Sequence, residues 1–221
     1  MKLMGVSEIA EALSVSRRRV RQMLAQGALA GQRVGRTWVV HRDAIERLEQ
    51  NRSPAGRPWH PATAWALLAL ADGRDTDLSP VQRSRVRRRL EAGLEHHLGR
   101  LRVRAEKRRF YAHPSVIDLL GCEPSVVRSG VSAFGCYQIE VVAVDEFEGY
   151  VPASSLPSLV SRFALDEHAE RPNVLLRTVD DEVWPFDEDE SVAPLPVVAV
   201  DLLEAHDSRI RRAGFELLKH L

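Results

Sequence analysis

Two helix signals lie so close together near the N-terminus that the chain must turn sharply between them. Ser7 is placed to cap a helix over residues 8–13, in which Ile9 and Leu13 share one face at i, i+4 with Ala10 beside them. Ser14-Val15 breaks that pattern. Ser16 then caps a second helix over residues 17–26, which Gly27 ends as a C-terminal glycine does. The apolar face of this second helix is Val20, Met23 and Leu24. Ala10 is small where the two helices must pack closely, and Val15 and Val20 seal the corner. Two helices joined in this way make a helix-turn-helix, whose second helix is shaped to lie in a DNA major groove.

The next thirty residues narrow the fold. Residues 28–40 alternate like a short hairpin with Gly35 at the tip, Trp38 and Val40 on one face and Thr37 and Val39 on the other. Asp43 and Glu46 then make a capping-box-like start to a third helix, with Ile45 and Leu48 inward. Helix, turn, helix, hairpin, helix is a winged helix-turn-helix. The stretch VSEIAEALSVSRRRVRQMLAQGALAGQRVGRTWVVHRDAIERL closely resembles the excisionase-like and MerR-like DNA-binding domains, through Ser16, Val20, Gly27, Gly35, Trp38 and the helix after them. The resemblance implies base contacts from the exposed face of the second helix and backbone contacts from the wing.

The side chains suit that role. Arg17, Arg18, Arg21 and Gln22 face away from Val20 and Leu24. An Arg can grip guanine O6 and N7 in a bidentate way, and a Gln can do the same to adenine. Ser16 and the free N–H groups at the start of that helix suit a phosphate. Arg33, Arg36 and Thr37 lie on the wing, near the backbone or minor groove. The alternative is an Arg-rich face that is merely soluble, but four Arg in five positions without an acid in that helix weigh against it. Trp38 is expected at the wing base, in the core, rather than stacked on DNA.

The chain is too long for this module alone. Its 221 residues accommodate about two domains, and 44% hydrophobic with 28% charged residues is the composition of a globular protein. The expected fold class is multi-domain α+β: an N-terminal winged helix-turn-helix over residues 1–50, a linker over 51–60, and a mixed α/β domain over 61–221. The formal net charge of zero hides a split. Residues 1–110 hold 23 basic and 11 acidic residues, and residues 111–221 hold 8 basic and 20 acidic. Such asymmetry suggests a nucleic-acid surface at one end and another partner at the other. No apolar run reaches the roughly 18 residues a membrane span needs, and no signal peptide is evident, so a cytoplasmic protein without membrane contact is expected. Cys122 and Cys136 are expected to be reduced thiols in packing roles.

In the second domain, residues 61–71 read as a short buried helix, and Ser79-Pro80 starts another. Val86, Leu90, Leu94 and Leu98 recur every four residues as one apolar stripe, among Arg83, Arg85, Arg87, Arg88 and Arg89. The basic residues of segment 83–109 either extend a phosphate footprint or pair with the acidic half. Beyond residue 110, helices are expected over 114–120 and 156–165 and after Asp207, and strands over 137–144 and 149–151. Residues 174–179 and 196–200 are apolar, β-branched runs bounded by turns, as buried strands are. Asp187-Glu188-Asp189-Glu190 reads as a solvated loop.

Residues 128–133 (RSGVSA), 195–214 (LPVVAVDLLEAHDSRIRRAG) and the stretch RPWHPATAWALLAL resemble segments of the AbiEi-like, antitoxin-type transcriptional regulators found beside nucleotidyltransferase toxins. That resemblance implies a partner operon and autorepression. No phosphate loop, dinucleotide fingerprint, HExxH or GxSxG motif occurs. Asp201, Glu204 and Asp207 lie at helical spacing, either as a nuclease metal site or, more simply, as caps and ion pairs with Arg209, Arg211 and Arg212. The expectation is therefore a non-enzymatic, sequence-specific DNA-binding transcriptional regulator, the autorepressing antitoxin of a toxin–antitoxin pair. Its expected partners are double-stranded DNA, a cognate toxin protein and a second copy in a homodimer, with no cofactor or metal. The alternatives are an excisionase-like recombination directionality factor and a DNA-targeted nuclease.

Overall fold

A computed structural model describes residues 3–13, 15–26, 29, 31–35, 37–41, 59–139, 146–205 and 207–221. The chain divides into two compact units, Met1–Pro54 and Ala55–Leu221.

The first unit opens on a strand that the sequence reading missed, β1 (Leu3–Gly5), which runs directly into α1 (Val6–Ala12). Ser7 is therefore inside the helix and does not cap it. The Glu8 Oε2 instead accepts from the Gly5 N–H at 2.8 Å, closing the first turn from within. Helix α2 (Arg17–Ala25) begins at Ser16 as expected: its hydroxyl oxygen accepts from the Arg19 N–H at 3.2 Å. Strands β2 (Gln32–Val34) and β3 (Thr37–His41) form an antiparallel hairpin through Gly35, whose φ of +61° suits a residue without Cβ. Strand β1 pairs on the other side of β3, so the sheet order is β1-β3-β2. Ile9, Leu13, Val20, Leu24, Leu29 and Val40 form the core, and Trp38 packs half-buried against it. Gly27 and the third helix expected after Asp43 lie outside the described residues.

The second unit is built on a four-stranded mixed sheet of order β4-β7-β6-β5. Its strands are β4 (Glu106–Phe110), β5 (Val127–Arg128), β6 (Phe147–Pro152) and β7 (Val174–Val179). The central β6/β7 pair is parallel, and both outer pairs are antiparallel. Side-chain alternation gives the sheet two buried faces. Phe110, Phe147, Val151, Val174 and Leu176 share one apolar cluster with α6 (Pro114–Gly121) and α7 (Leu156–Arg162). Tyr150 and Val179 join the other cluster, with α3 (Pro61–Ala71), α8 (Leu195–Leu203) and α9 (Ser208–Leu218).

Several expectations for this unit are corrected. Residues 196–200 are helix, not strand, because α8 is buried on every side and so shows no helical periodicity; Pro196 sits in its first turn. The Val86–Leu98 stripe does not lie on one helix: α4 (Pro80–Glu91) ends before Gly93, at φ +92°, and Leu98 begins the short α5 (Leu98–Leu101). All four apolar residues still reach one core. Tyr137 and Gln138 lie in a turn rather than a strand, and residues 140–144 fall outside the described residues. Helix α7 stops at Arg162, two residues before Ala164 turns the chain at φ 49°. Trp59 and His60, expected in the linker, belong structurally to the second unit. Trp59 is buried against α4, with the Arg89 guanidinium 4.4 Å above its ring, and the His60 Nδ1 caps α3. Both cysteines are exposed, so neither packs in the core.

The sheet face against α8 carries a buried charge cluster. Arg104 binds Asp201, and its Nη1 donates to Glu204 at 3.0 Å and its Nε to the Tyr150 hydroxyl at 2.9 Å. Tyr150 donates on to Asp201 Oδ1 at 2.9 Å, and Ser129 donates to the other oxygen. Arg177 lies 3.0 Å from Asp201 and 2.8 Å from Glu148, and Lys107 meets Glu204. Burial favours a neutral Glu204, but Arg104 and then Lys107 outweigh it and hold this carboxyl far below the ordinary range. For Glu148 burial wins over Arg177, and its pKa is raised. The expectation for these acids holds in part: Asp207 caps α9 and pairs with Arg209, whose side chain holds it down to about 2, whereas Asp201 and Glu204 pair with Arg104, Arg177 and Lys107.

Candidate nucleic-acid interface

Helix α2 owes its orientation to three apolar residues. Val20 and Leu24 are buried and Met23 is half-buried, so the 3.6-residue period turns Arg17, Arg18, Arg21 and Gln22 outward, and all four are exposed. Ser16 is exposed at the head of the helix, its side chain already engaged by the Arg19 N–H.

Arg19 is the residue the sequence reading undervalued. Its Nη1 donates to the Gln22 Oε1 at 2.9 Å, which holds the Gln22 amide against Arg19 and takes one of the two lone pairs of its carbonyl. The i, i+3 spacing was the available signal.

The hairpin presents the remaining candidates. Arg33 is exposed on β2 opposite Trp38, and Thr37 is exposed at the start of β3. Arg36 lies outside the described residues. Close approach fixes the hairpin onto α2: a Cβ at Gly31 would stand 2.6 Å from Leu24 Cδ2 and 2.9 Å from Val40 Cγ2. Gly31→Val is therefore expected to cost about 1–3 kcal/mol by overpacking. Thermal unfolding of the full chain, with α2 followed by amide exchange, checks this; unchanged protection in α2 would show that the contact is slack.

The helix-turn-helix domain family matches residues 3–53. No curated protein and no solved structure matches the chain. The match covers both α1 and α2 and the β1-β3-β2 sheet, so the outward cations of α2 sit on the second helix of a DNA-binding helix-turn-helix domain.

The second basic stretch divides. Arg104, Lys107 and Arg108 pair with Glu204, Asp201 and Glu167 inside the second unit. Arg83 holds Asp75 at 2.9 Å and the Thr76 carbonyl at 2.7 Å. Arg85, Arg87 and Arg88 remain on the outer surface of α4. No helix among the described residues is long and apolar enough to cross a membrane.

Proposed function

We propose that this chain is a sequence-specific regulator of transcription that reads double-stranded DNA with α2 and steadies itself with the β2–β3 hairpin as a wing. The observation that carries the reading is the outward face of α2: Arg17, Arg18, Arg21 and Gln22 exposed together on the second helix of the matched domain. Those residue types discriminate base edges in the major groove. Arg33, with Arg36 and Thr37, takes the backbone beside it. The test is selection of bound duplexes from a random library by the full chain. Enrichment of one sequence supports the reading, and an unenriched pool overturns it. On the selected duplex, Arg33→Ala is expected to flatten the slope of log affinity against log salt by about 0.9, one phosphate contact. An unchanged slope removes the wing from the interface.

The narrower reading is an autorepressor of the antitoxin type. Its support is the resemblance of residues 128–133 and 195–214 to AbiEi-like regulators, together with the joining of those two segments in the core through Ser129 and Asp201. A binding rather than catalytic role fits the second unit, because Asp201 and Glu204 are buried and held by Arg104, Arg177 and Lys107. A reporter driven by the chain's own upstream sequence tests this. Repression that Arg17→Ala abolishes supports it, and constant expression sinks it.

A further inference from the structure

Helix α4 buries Val86, packs the half-buried Leu90 beside it and turns Val81, Ser84, Arg85 and Arg88 away from the core. Val81 is 61% exposed, and these four residues with Pro80 line an open groove of about 420 Å³. Among the described residues Arg85, Arg87 and Arg88 make no ion pair and no side-chain hydrogen bond. The second unit as a whole is acidic, with 21 Lys and Arg against 26 Asp and Glu in residues 55–221. This helix is thus a cationic strip on an anionic body.

An anionic strip adjoins it. Arg83 on the flank of α4 holds Asp75, and Arg74, one residue away, reaches Glu190 and lies 3.9 Å from Asp187. Asp75 and Asp187 remain 86% and 82% exposed, and Asp77, Glu188 and Asp189 are exposed as well. The second unit therefore carries exposed cations on the outer face of α4 and exposed acids beyond its Arg83 flank, with the apolar Pro80 and Val81 at the helix start.

We propose that this surface is a homodimer interface, in which the Arg85/Arg88 face of one copy docks on the Asp75 and Asp187–Asp189 strip of a second copy, and the reverse. A twofold interface must be self-complementary, and two strips of opposite sign on one unit meet that condition twice over. An exposed Val and Pro on the same face suit a protein partner better than a phosphate backbone. The occupant is supplied by the chain itself, which is neutral overall. Such a contact is steered by charge and is sensitive to salt. It stands independently of the DNA reading above.

Sedimentation of the full chain decides it. At about 50 mM salt a species of twice 24.8 kDa is expected, returning to monomer at about 500 mM, where screening is strong. Arg85→Glu with Arg88→Glu should raise the dimer dissociation constant at least about tenfold, as should Asp187→Arg with Glu188→Arg. The chain carrying all four changes should dimerise again. These side chains are exposed, and an unchanged circular dichroism melt confirms folding. A wild-type monomer at low salt overturns the proposal, as does a dimer indifferent to the Arg85 and Arg88 reversal. So does a monomeric chain whose affinity for duplex DNA falls with that reversal, which would assign the face to nucleic acid instead.

Discussion

Arg104→Met is expected to cost about 3–5 kcal/mol, the largest single effect in the second unit. Arg104 is fully buried and contacts Asp201, Glu204, Tyr150 and the Leu101 carbonyl. Removing one side of a buried ion pair leaves uncompensated charge in a poorly solvated site, and that exceeds whatever the intact pair contributes. A loss of this size is a large fraction of a typical 5–15 kcal/mol stability. Urea unfolding reads it as a midpoint lowered by about 2 M for a slope near 2 kcal/mol/M. Trp65, whose Nε1 donates to the Arg104 carbonyl at 3.0 Å, is a local fluorescence reporter. The pH dependence has a definite sign. In the wild type Glu204 has a depressed pKa, so its stabilisation is present above the ordinary carboxylate range and lost as pH falls through the folded value. Without Arg104 its charge and hydrogen bond no longer hold the carboxyl down, with Lys107 and Arg177 still beside it, so the pKa rises from its wild-type position and the variant recovers stability as Glu204 takes up a proton. The deficit relative to wild type should therefore narrow from pH 7 to pH 4. A deficit that is constant over that range would show that Arg104 acts only through packing.

Arg17→Ala and Arg21→Ala are each expected to cost about 1–3 kcal/mol at particular base pairs, or about 5–150-fold in affinity, and to relax specificity there. Both guanidinium groups are exposed on α2, and the helix is held from beneath by Val20 and Leu24. Binding to the selected duplex and to single-base variants of it reads the effect. An equal loss on every sequence would restrict these side chains to phosphate. Arg19→Ala should behave differently. It removes the contact that orients the Gln22 amide, so Gln22 is free to turn both its acceptor and its donor to adenine, and the preference at one base pair should sharpen or shift.

The sequence alone determined the parts whose interactions are local. The Ser16 cap, the outward Arg17, Arg18 and Arg21, the Gly35 turn and the Ser79-Pro80 start of α4 follow from spacing and residue type within a few positions. The breaks at Gly93 and Ala164 are local, but the larger missed and mistaken features depend on partners far along the chain. Strand β1 exists because Leu3–Gly5 pairs with β3 some 35 residues on, which moves the start of α1 and takes the cap from Ser7. Helix α8 read as a strand because burial on all sides removes the polar face that marks a helix. Arg104 stands in a basic run that the sequence leaves open between a phosphate footprint and pairing with the acidic half. Only the fold brings Asp201 and Glu204 to it across about a hundred residues, and with Arg177, Lys107 and Tyr150 it forms a buried charge cluster. A charge is legible from sequence; whether it faces water or a buried counter-charge is decided by tertiary contacts, because desolvation is a property of the assembled interior and of no single segment.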